Sequence, residues 1–309
     1  MAEILTLGEI LVEVMAKNIN QKFSETGELV GPFPSGAPAI FIDQASKIGS
    51  NAGIFAVIGN DDFGKINYEK LKLDSVDTSN IKVIDEASTG VAFVTYKEDG
   101  SRDFIFHIHN SAAGLLTADD INEDAFNDCK YFHIMGSALF NDNLRKAAEK
   151  AINICKKKNI KISFDPNIRK ELLKNNEIKN SLNRMFEACD IFLPSSEELY
   201  LFVDIENESE AIKWILDKGK EYIVIKKGSK GCSAYSNNLV LHLEPLNVVE
   251  VDPTGAGDCF GGTFISCLNQ GMSFRQSVSY ANVAGALAVT KKGPMAGNST
   301  LANLKGYTI

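Results

Sequence analysis

The stretch Val251-Asp252-Pro253-Thr254-Gly255-Ala256-Gly257-Asp258-Cys259-Phe260-Gly261-Gly262-Thr263-Phe264 changes its pattern halfway. It begins as the end of an apolar run read as a strand, which Pro253 and Thr254 break, and it turns at two glycines. Phe260, Phe264, Ile265 and Leu268 then recur at helical spacing, which places Asp258 in the first turn of a helix. A helix start built from Gly255, Ala256 and Gly257 aims several unpaired backbone N–H groups at one spot, with the positive end of the helix dipole behind them. Side chains this small let a phosphate reach the backbone. Asp258 then has two readings. It complements the dipole, as an acid in any first turn does, or it takes the proton of a hydroxyl attacking a phosphoryl group held in the hole.

Upstream of this turn the chain alternates. Tyr131 to Met135, Lys161 to Phe164, Asp190 to Leu193 and Tyr222 to Ile225 read as short core strands. Asn143 to Lys157, Asn176 to Ala188, Glu197 to Val203 and Glu210 to Lys218 read as the helices between them. Such a rhythm makes a parallel sheet, and ligands gather at the carboxyl ends of its strands. Three polar clusters fall there. Asp165-Pro166-Asn167-Ile168-Arg169 is otherwise a plain surface loop. Ser195 and Glu198 are spaced as a capping box. Lys227-Gly228-Ser229-Lys230-Gly231 also suits a two-glycine hairpin leading into a strand from Cys232 to Tyr235. Further on, Tyr280 to Val289 reads as a small-residue helix carrying Asn282.

In the N-terminal half, Ile4 to Met15 reads as a strand interrupted at Gly8-Glu9, with Glu13 breaking its apolar run; a lone Glu there also suits the solvent face of a pleat. Polar residues 18–34 lead to a turn at Ser35-Gly36 and a helix to about Ile48. Ala52 to Ile58 is a buried strand. The Gly59-Asn60-Asp61-Asp62-Phe63-Gly64-Lys65-Ile66 that follows nearly spells a phosphate-binding P-loop, but Ile66 replaces the required hydroxyl and two acids would repel phosphate. We read a helix from Phe63 to Leu73 instead. Thr89 to His109 reads as a hairpin turning at Glu98-Asp99-Gly100-Ser101. His107 and His109 share a strand face there, and without a third ligand they suit hydrogen bonding better than a metal.

The bulk numbers narrow the class. A net charge of −8, with no basic run longer than Lys156-Lys157-Lys158, argues against a nucleic-acid groove. Six scattered cysteines lack a C-x-x-C pair and read as reduced thiols. No apolar segment approaches a membrane span and the first residues are not a signal peptide, so the expected location is the cytoplasm, away from membranes. The spacing Gly255-x-Gly257-x-x-x-Gly261 also departs from the G-x-G-x-x-G of a dinucleotide fold.

Residues 252–258, Asp-x-Thr-Gly-Ala-Gly-Asp, resemble the C-terminal signature of the ribokinase-like (PfkB) carbohydrate kinases, in which this turn opens a helix over the ATP γ-phosphate. Residues 59–66 look like the family's N-terminal signature, and the resemblance covers nearly the whole chain with its motifs in order. It implies one α/β domain over residues 1–309: a mainly parallel central sheet with helices on both faces, and a small β-sheet lid from about residues 9–33 and 89–110, often used for homodimerisation. It implies ATP and Mg²⁺, a small-molecule sugar as acceptor, and often K⁺ held between the 291–297 loop and the turn of Asp252 and Thr254. Asp258 would be the base, and the backbone of Gly255, Ala256, Gly257 and Asp258 the anion hole. Glu13, Gly36, Asn167 and Arg169 would meet the sugar. Ser195, Lys227, Gly228, Ser229, Gly231 and Asn282 would surround the nucleotide, and Glu198 would hold the water shell of Mg²⁺.

The chain departs from the family at Glu13, where Asp is usual, at Ser35 for a Gly, and at Ile40 and Ser195, each for an Asn. Gly-Glu-Ile-Leu-Val-Glu, Pro-Ser-Gly-Ala-Pro-Ala-Ile-Phe-Ile-Asp and Phe-His-Ile-Met-Gly look most like the tagatose/fructose kinase branch. Ketodeoxygluconate kinases come second; they carry an arginine near the end of the lid hairpin, where this chain has His107-Ile108-His109-Asn110. Nucleoside kinases would want aromatic stacking for a base. A non-catalytic sugar-binding protein on the same scaffold is the remaining alternative, favoured by the lost Asn residues and opposed by the complete catalytic turn.

Overall fold

The computed structural model describes residues 1–168 and 175–307. In chain order the elements are β1 (Ile4–Leu7), β2 (Leu11–Ala16), β3 (Leu29–Ser35), α1 (Ala37–Ile48), β4 (Ala52–Gly59), α2 (Asp62–Leu73), β5 (Ile81–Ile84), β6 (Gly90–Tyr96), β7 (Arg102–His107), β8 (Tyr131–Met135), α3 (Asp142–Lys158), β9 (Lys161–Asp165), α4 (Asn176–Ala188), β10 (Ile191–Phe192), α5 (Ser196–Leu199), α6 (Glu208–Asp217), β11 (Tyr222–Lys226), β12 (Cys232–Ser236), β13 (Leu239–Leu243), α7 (Ala256–Asn269), α8 (Phe274–Ala288) and α9 (Leu301–Lys305).

The central sheet runs β13-β12-β11-β10-β9-β8-β1-β4-β5 and is parallel except at β12 and β13, which close one edge as antiparallel strands. β1 and β4 are buried along their whole length, so they read as continuous apolar runs, as strands covered on both faces do. The chain crosses from β1 toward β4 in one direction and from β8 through β9 and β10 to β11 in the other. Right-handed crossovers therefore put α1 on one face and α3, α4 and α6 on the opposite one.

A second sheet, ordered β3-β2-β6-β7, stands apart from the first. The interruption expected at Gly8-Glu9 is the exit from one sheet into the other. Gly8 has φ 142°, and a Cβ there would come within 2.7 Å of Ala138 Cβ and Pro38 Cγ. Only glycine takes that corner without strain. The hairpin of β6 and β7 forms as read, in the register Val91 to His107 through Tyr96 to Arg102.

Three local readings shift. The apolar run before Asp252 is not a strand: Val249 and Val251 are 81% and 54% exposed, because the chain has passed the sheet edge at β13. Its backbone is held instead by Val289 O, which accepts from Val251 N and Asp252 N at 2.8 and 3.1 Å. The helix expected to reach Val203 stops at Leu199, and the chain turns so that Phe202 enters the ring cluster of Phe164, Phe186 and Phe192. The helix read from Tyr280 begins earlier, at Phe274, where Ser273 and Gln276 form a capping box. All six cysteines are free and buried.

Candidate active site

Helix α7 starts as its sequence requires. Gly255 sits at φ 84°, where a side chain would come within 2.5 Å of Pro294 O. Gly255, Ala256 and Gly257 are half-buried at the helix start, where the first N–H groups have no intrahelical partner, and Asp258 lies in the first turn at 7% exposure. Ile40 packs beside this turn, with Cγ2 3.3 Å from where a Gly255 Cβ would stand. Its apolar side chain, 2% exposed, thus packs where the family's usual Asn would offer a polar group.

Strand β9 delivers the next group. Asn167 adopts φ 38°, a conformation that Asn tolerates better than most residues, and its Nδ2 donates to Asp258 Oδ1 at 3.0 Å. Its own N–H donates to Asp165 Oδ1 at 3.2 Å. Glu198 ties this loop to α5, since its two oxygens accept from Ile168 N and Ser195 N, both at 2.7 Å. Ser195 and Glu198 do form the capping box, so this acid braces the loop whatever else it binds.

Lys226, the last residue of β11, reaches the α7 start, with Nζ 3.4 Å from where a Gly257 Cβ would stand, and pairs with the fully buried Asp165. Burial lifts the Asp165 carboxyl to about 6, against the opposing pull of Lys226. Burial would depress the Lys226 ammonium, but the charges of Asp165, Glu198 and Asp258 overcome it and the net shift is upward. The neighbouring Lys227, which the resemblance places by the nucleotide, points another way. Adjacent strand residues point to opposite faces, and Lys227 Nζ turns to Glu208 Oε1 at 3.2 Å.

On the other flank the small sheet meets the turn. Asp252, 1% exposed, accepts from Tyr96 OH at 2.9 Å, Thr254 N at 3.0 Å and Gly293 N at 2.9 Å. Arg102 Nη1 donates to Thr254 Oγ1 at 2.8 Å, and that hydroxyl lies 3.5 Å from Glu13 Oε1. Glu13 is 3% exposed, so it faces the turn and not solvent. Burial, then the charge of Asp252, pushes the Tyr96 phenol well above its ordinary value. Neither Tyr96 nor Arg102 stood out in the sequence, because nothing local marks a hairpin residue that bonds across 150 positions.

Other expected site residues each have a local structural role. Gly228, Ser229 and Lys230 form an exposed 3₁₀ turn closed by Lys227 N on Gly231 O at 2.9 Å, as the hairpin account requires. Asn282 donates to Glu244 O at 2.8 Å, tying α8 to the segment after β13. Gly36 caps α1 against the backbone of Glu9. Arg169 lies outside the described residues. His107 and His109 meet Phe93 and Phe140 edge-on. Among the described residues no group of three or more His, Cys, Asp or Glu could hold a metal ion. Glu198, already bonded to two backbone N–H groups, would meet a Mg²⁺ carried by phosphates through its water shell. At the false P-loop, Asp61 accepts from Gly64 N and Thr89 N, both at 2.8 Å, and occupies the place a phosphate would need.

Comparison with known proteins agrees with this geometry. The sequence profile of the pfkB family carbohydrate kinases matches residues 1–301. Fructokinase-1 of Zea mays is 28% identical over 299 residues, covering 94% of this chain and 92% of its own length. The crystal structure titled "putative Ribokinase II in complex with ATP and Mg+2 from E.coli" is 46% identical, superposes with a TM-score of 0.95, and is covered over 98% of its chain and 99% of this one. A fructokinase double mutant from Vibrio cholerae O395, solved with fructose, ADP and potassium ion, is 26% identical with a TM-score of 0.87, over 100% of this chain and 99% of its own. No helix among the described residues is long and apolar enough to cross a membrane. The chain belongs to the pfkB family of carbohydrate kinases.

Proposed function

We propose that the protein transfers the γ-phosphate of ATP to a hydroxyl of a ketose, fructose or tagatose, with Asp258 as general base. The observation that carries this reading is the Asn167–Asp258 hydrogen bond beside the open N-terminus of α7. Asn167 holds the carboxylate at the hole, so a hydroxyl placed there gives its proton to Asp258 while the backbone of 255–258 takes the developing charge. Glu13, Gly36 and Asn167 line the sugar side. The 227–231 turn and Asn282 lie on the nucleotide side, with Glu198 toward the water shell of Mg²⁺. When bound, that ion neutralises phosphate charge; the chain itself aligns the acceptor and excludes water. Among the described residues Asp252 takes three neutral donors and no ion pair, and K⁺ would supply a cation beside this buried carboxyl.

A sugar acid is the second reading. Arg102, from the start of β7 and not the end of the hairpin, does place a guanidinium beside the turn. The test is ADP release from Mg²⁺-ATP over fructose, tagatose, ketodeoxygluconate, ribose and a nucleoside, for the native chain and Asp258→Asn. Turnover of fructose or tagatose, lost by about 10²–10⁴-fold in the variant, is expected. Turnover of ketodeoxygluconate alone selects the sugar acid, and sugar binding without any turnover would favour a non-catalytic scaffold.

A further inference from the structure

We propose that Lys226 is a catalytic residue: its ammonium donates to the phosphoryl group held at the N-terminus of α7, with Asp165 fixing its position. This rests on the kinase reading of the site.

Three observations meet here. First, the Lys226 side chain is only 16% exposed at the carboxyl end of β11, and its partner Asp165 is completely buried. A buried ion pair adds little stability over a well-packed apolar pair, so stability alone is a weak account of a lysine at this point. Second, Nζ stands 3.4 Å from where a Gly257 Cβ would be. That space is kept open by glycine, and a phosphate oxygen bonded to the helix N-terminus comes within reach of the ammonium. Third, Lys226 feels the charges of Asp165, Glu198 and Asp258 together. Three carboxylates around one phosphate site would repel it; an ammonium in their midst reverses the local field, and of its three donors Asp165 takes one.

In the transfer, the acceptor oxygen bonds to the γ-phosphorus as the bond from that phosphorus to the bridging oxygen of ADP breaks. The hydroxyl proton passes to Asp258 and ADP leaves with the electron pair. Lys226 stays protonated throughout and holds the charge of the moving group.

The test uses steady-state kinetics and thermal unfolding of Lys226→Gln and of the double variant Lys226→Met/Asp165→Asn. Gln keeps a donor for Asp165 without the charge, and the double variant removes both charges, so no carboxylate is left buried and unpaired. The native chain is assayed first; if it turns over no sugar, the kinase reading has failed and not this proposal. With native turnover in hand, both variants are expected to fold and to lose about 10²–10³-fold in kcat, with the KM for sugar little changed. Native kcat in Lys226→Gln, or recovery of native kcat in the double variant, would show that Lys226 only neutralises Asp165 and would overturn the proposal.

Discussion

Asn167 and Asp258, 91 positions apart, are joined by a 3.0 Å hydrogen bond from the Asn amide to the Asp carboxylate. This bond brings the loop after β9 to the helix start that follows the sheet, and it ties down one oxygen of the Asp258 carboxylate. Asn167→Ala removes a hydrogen bond to a charged group, worth about 1.5–3 kcal/mol. We expect kcat/KM for sugar to fall by about 10–100-fold, with the loss mainly in kcat; steady-state assays check it, and an unchanged kcat would mean that Asp258 needs no such support.

Gly255 and Gly257 should separate folding from chemistry. Alanine at 255 would have to hold φ 84° and approach Pro294 O at 2.5 Å, so Gly255→Ala should lower both the thermal midpoint and activity. At 257 an added Cβ meets the flexible Lys226 side chain, Nζ at 3.4 Å and Cδ at 3.9 Å. Gly257→Ala should keep the native midpoint yet lose at least about tenfold in kcat/KM for ATP, because the methyl group stands where a phosphate oxygen must come.

Tyr96 links the small sheet to the turn through Asp252. Tyr96→Phe leaves this buried carboxylate with one donor fewer, at a cost of about 1–3 kcal/mol. Denaturant unfolding should report a loss in that range. Proteolysis should find the 90–107 hairpin more readily cut; equal stability and equal protection would show the contact to be idle.

Behind the site, Asp43 on α1 lies between Lys70 Nζ, 3.3 Å from each of its oxygens, and Asn298 Nδ2 at 2.5 Å; Lys70 also pairs with Asp74, and Asn298 Oδ1 lies 2.7 Å from Cys259 Sγ. Burial raises the Asp43 carboxyl to about 7, above its ordinary 3.8, against the pull of Lys70. Between those two values the folded chain binds the proton and the unfolded chain does not, so this group's contribution to stability falls as pH rises from about 4 to 7 and is level above that. Asp74 is shifted down and Lys70 up, so both act outside this window. Denaturant midpoints at pH 5 and pH 8 should therefore differ less in Asp43→Asn than in the native chain; an identical pH slope in both would place the titration elsewhere.

The regular part of the molecule was readable because its signals are local. The alternation from Tyr131 to Ile225 fixed strands β8 to β11 within a residue or two, since a buried parallel strand and an amphipathic helix each carry their own period. The turn at 255–258 was equally readable, because a left-handed glycine opening a helix follows from residue type alone. Where two readings competed at Ser195 and Glu198, the cap proved to be built, and it coexists with a position facing the site. The run ending at Val251 misled because apolar content says nothing about whether a neighbouring strand remains to pair with.

The sequence by itself determined the glycine turn that opens a helix at 255–258, the parallel sheet whose carboxyl ends carry the polar loops, and the departure from a P-loop at 59–66. These rest on backbone geometry and periodicity within a few residues. Only the tertiary structure decided that Lys226 pairs with Asp165 beside Gly257, that Tyr96 and Arg102 reach the turn from another sheet, and that Glu13 faces inward. A side chain's charge is written in the sequence, but its partner is set by which face of a strand it occupies and which distant element packs there.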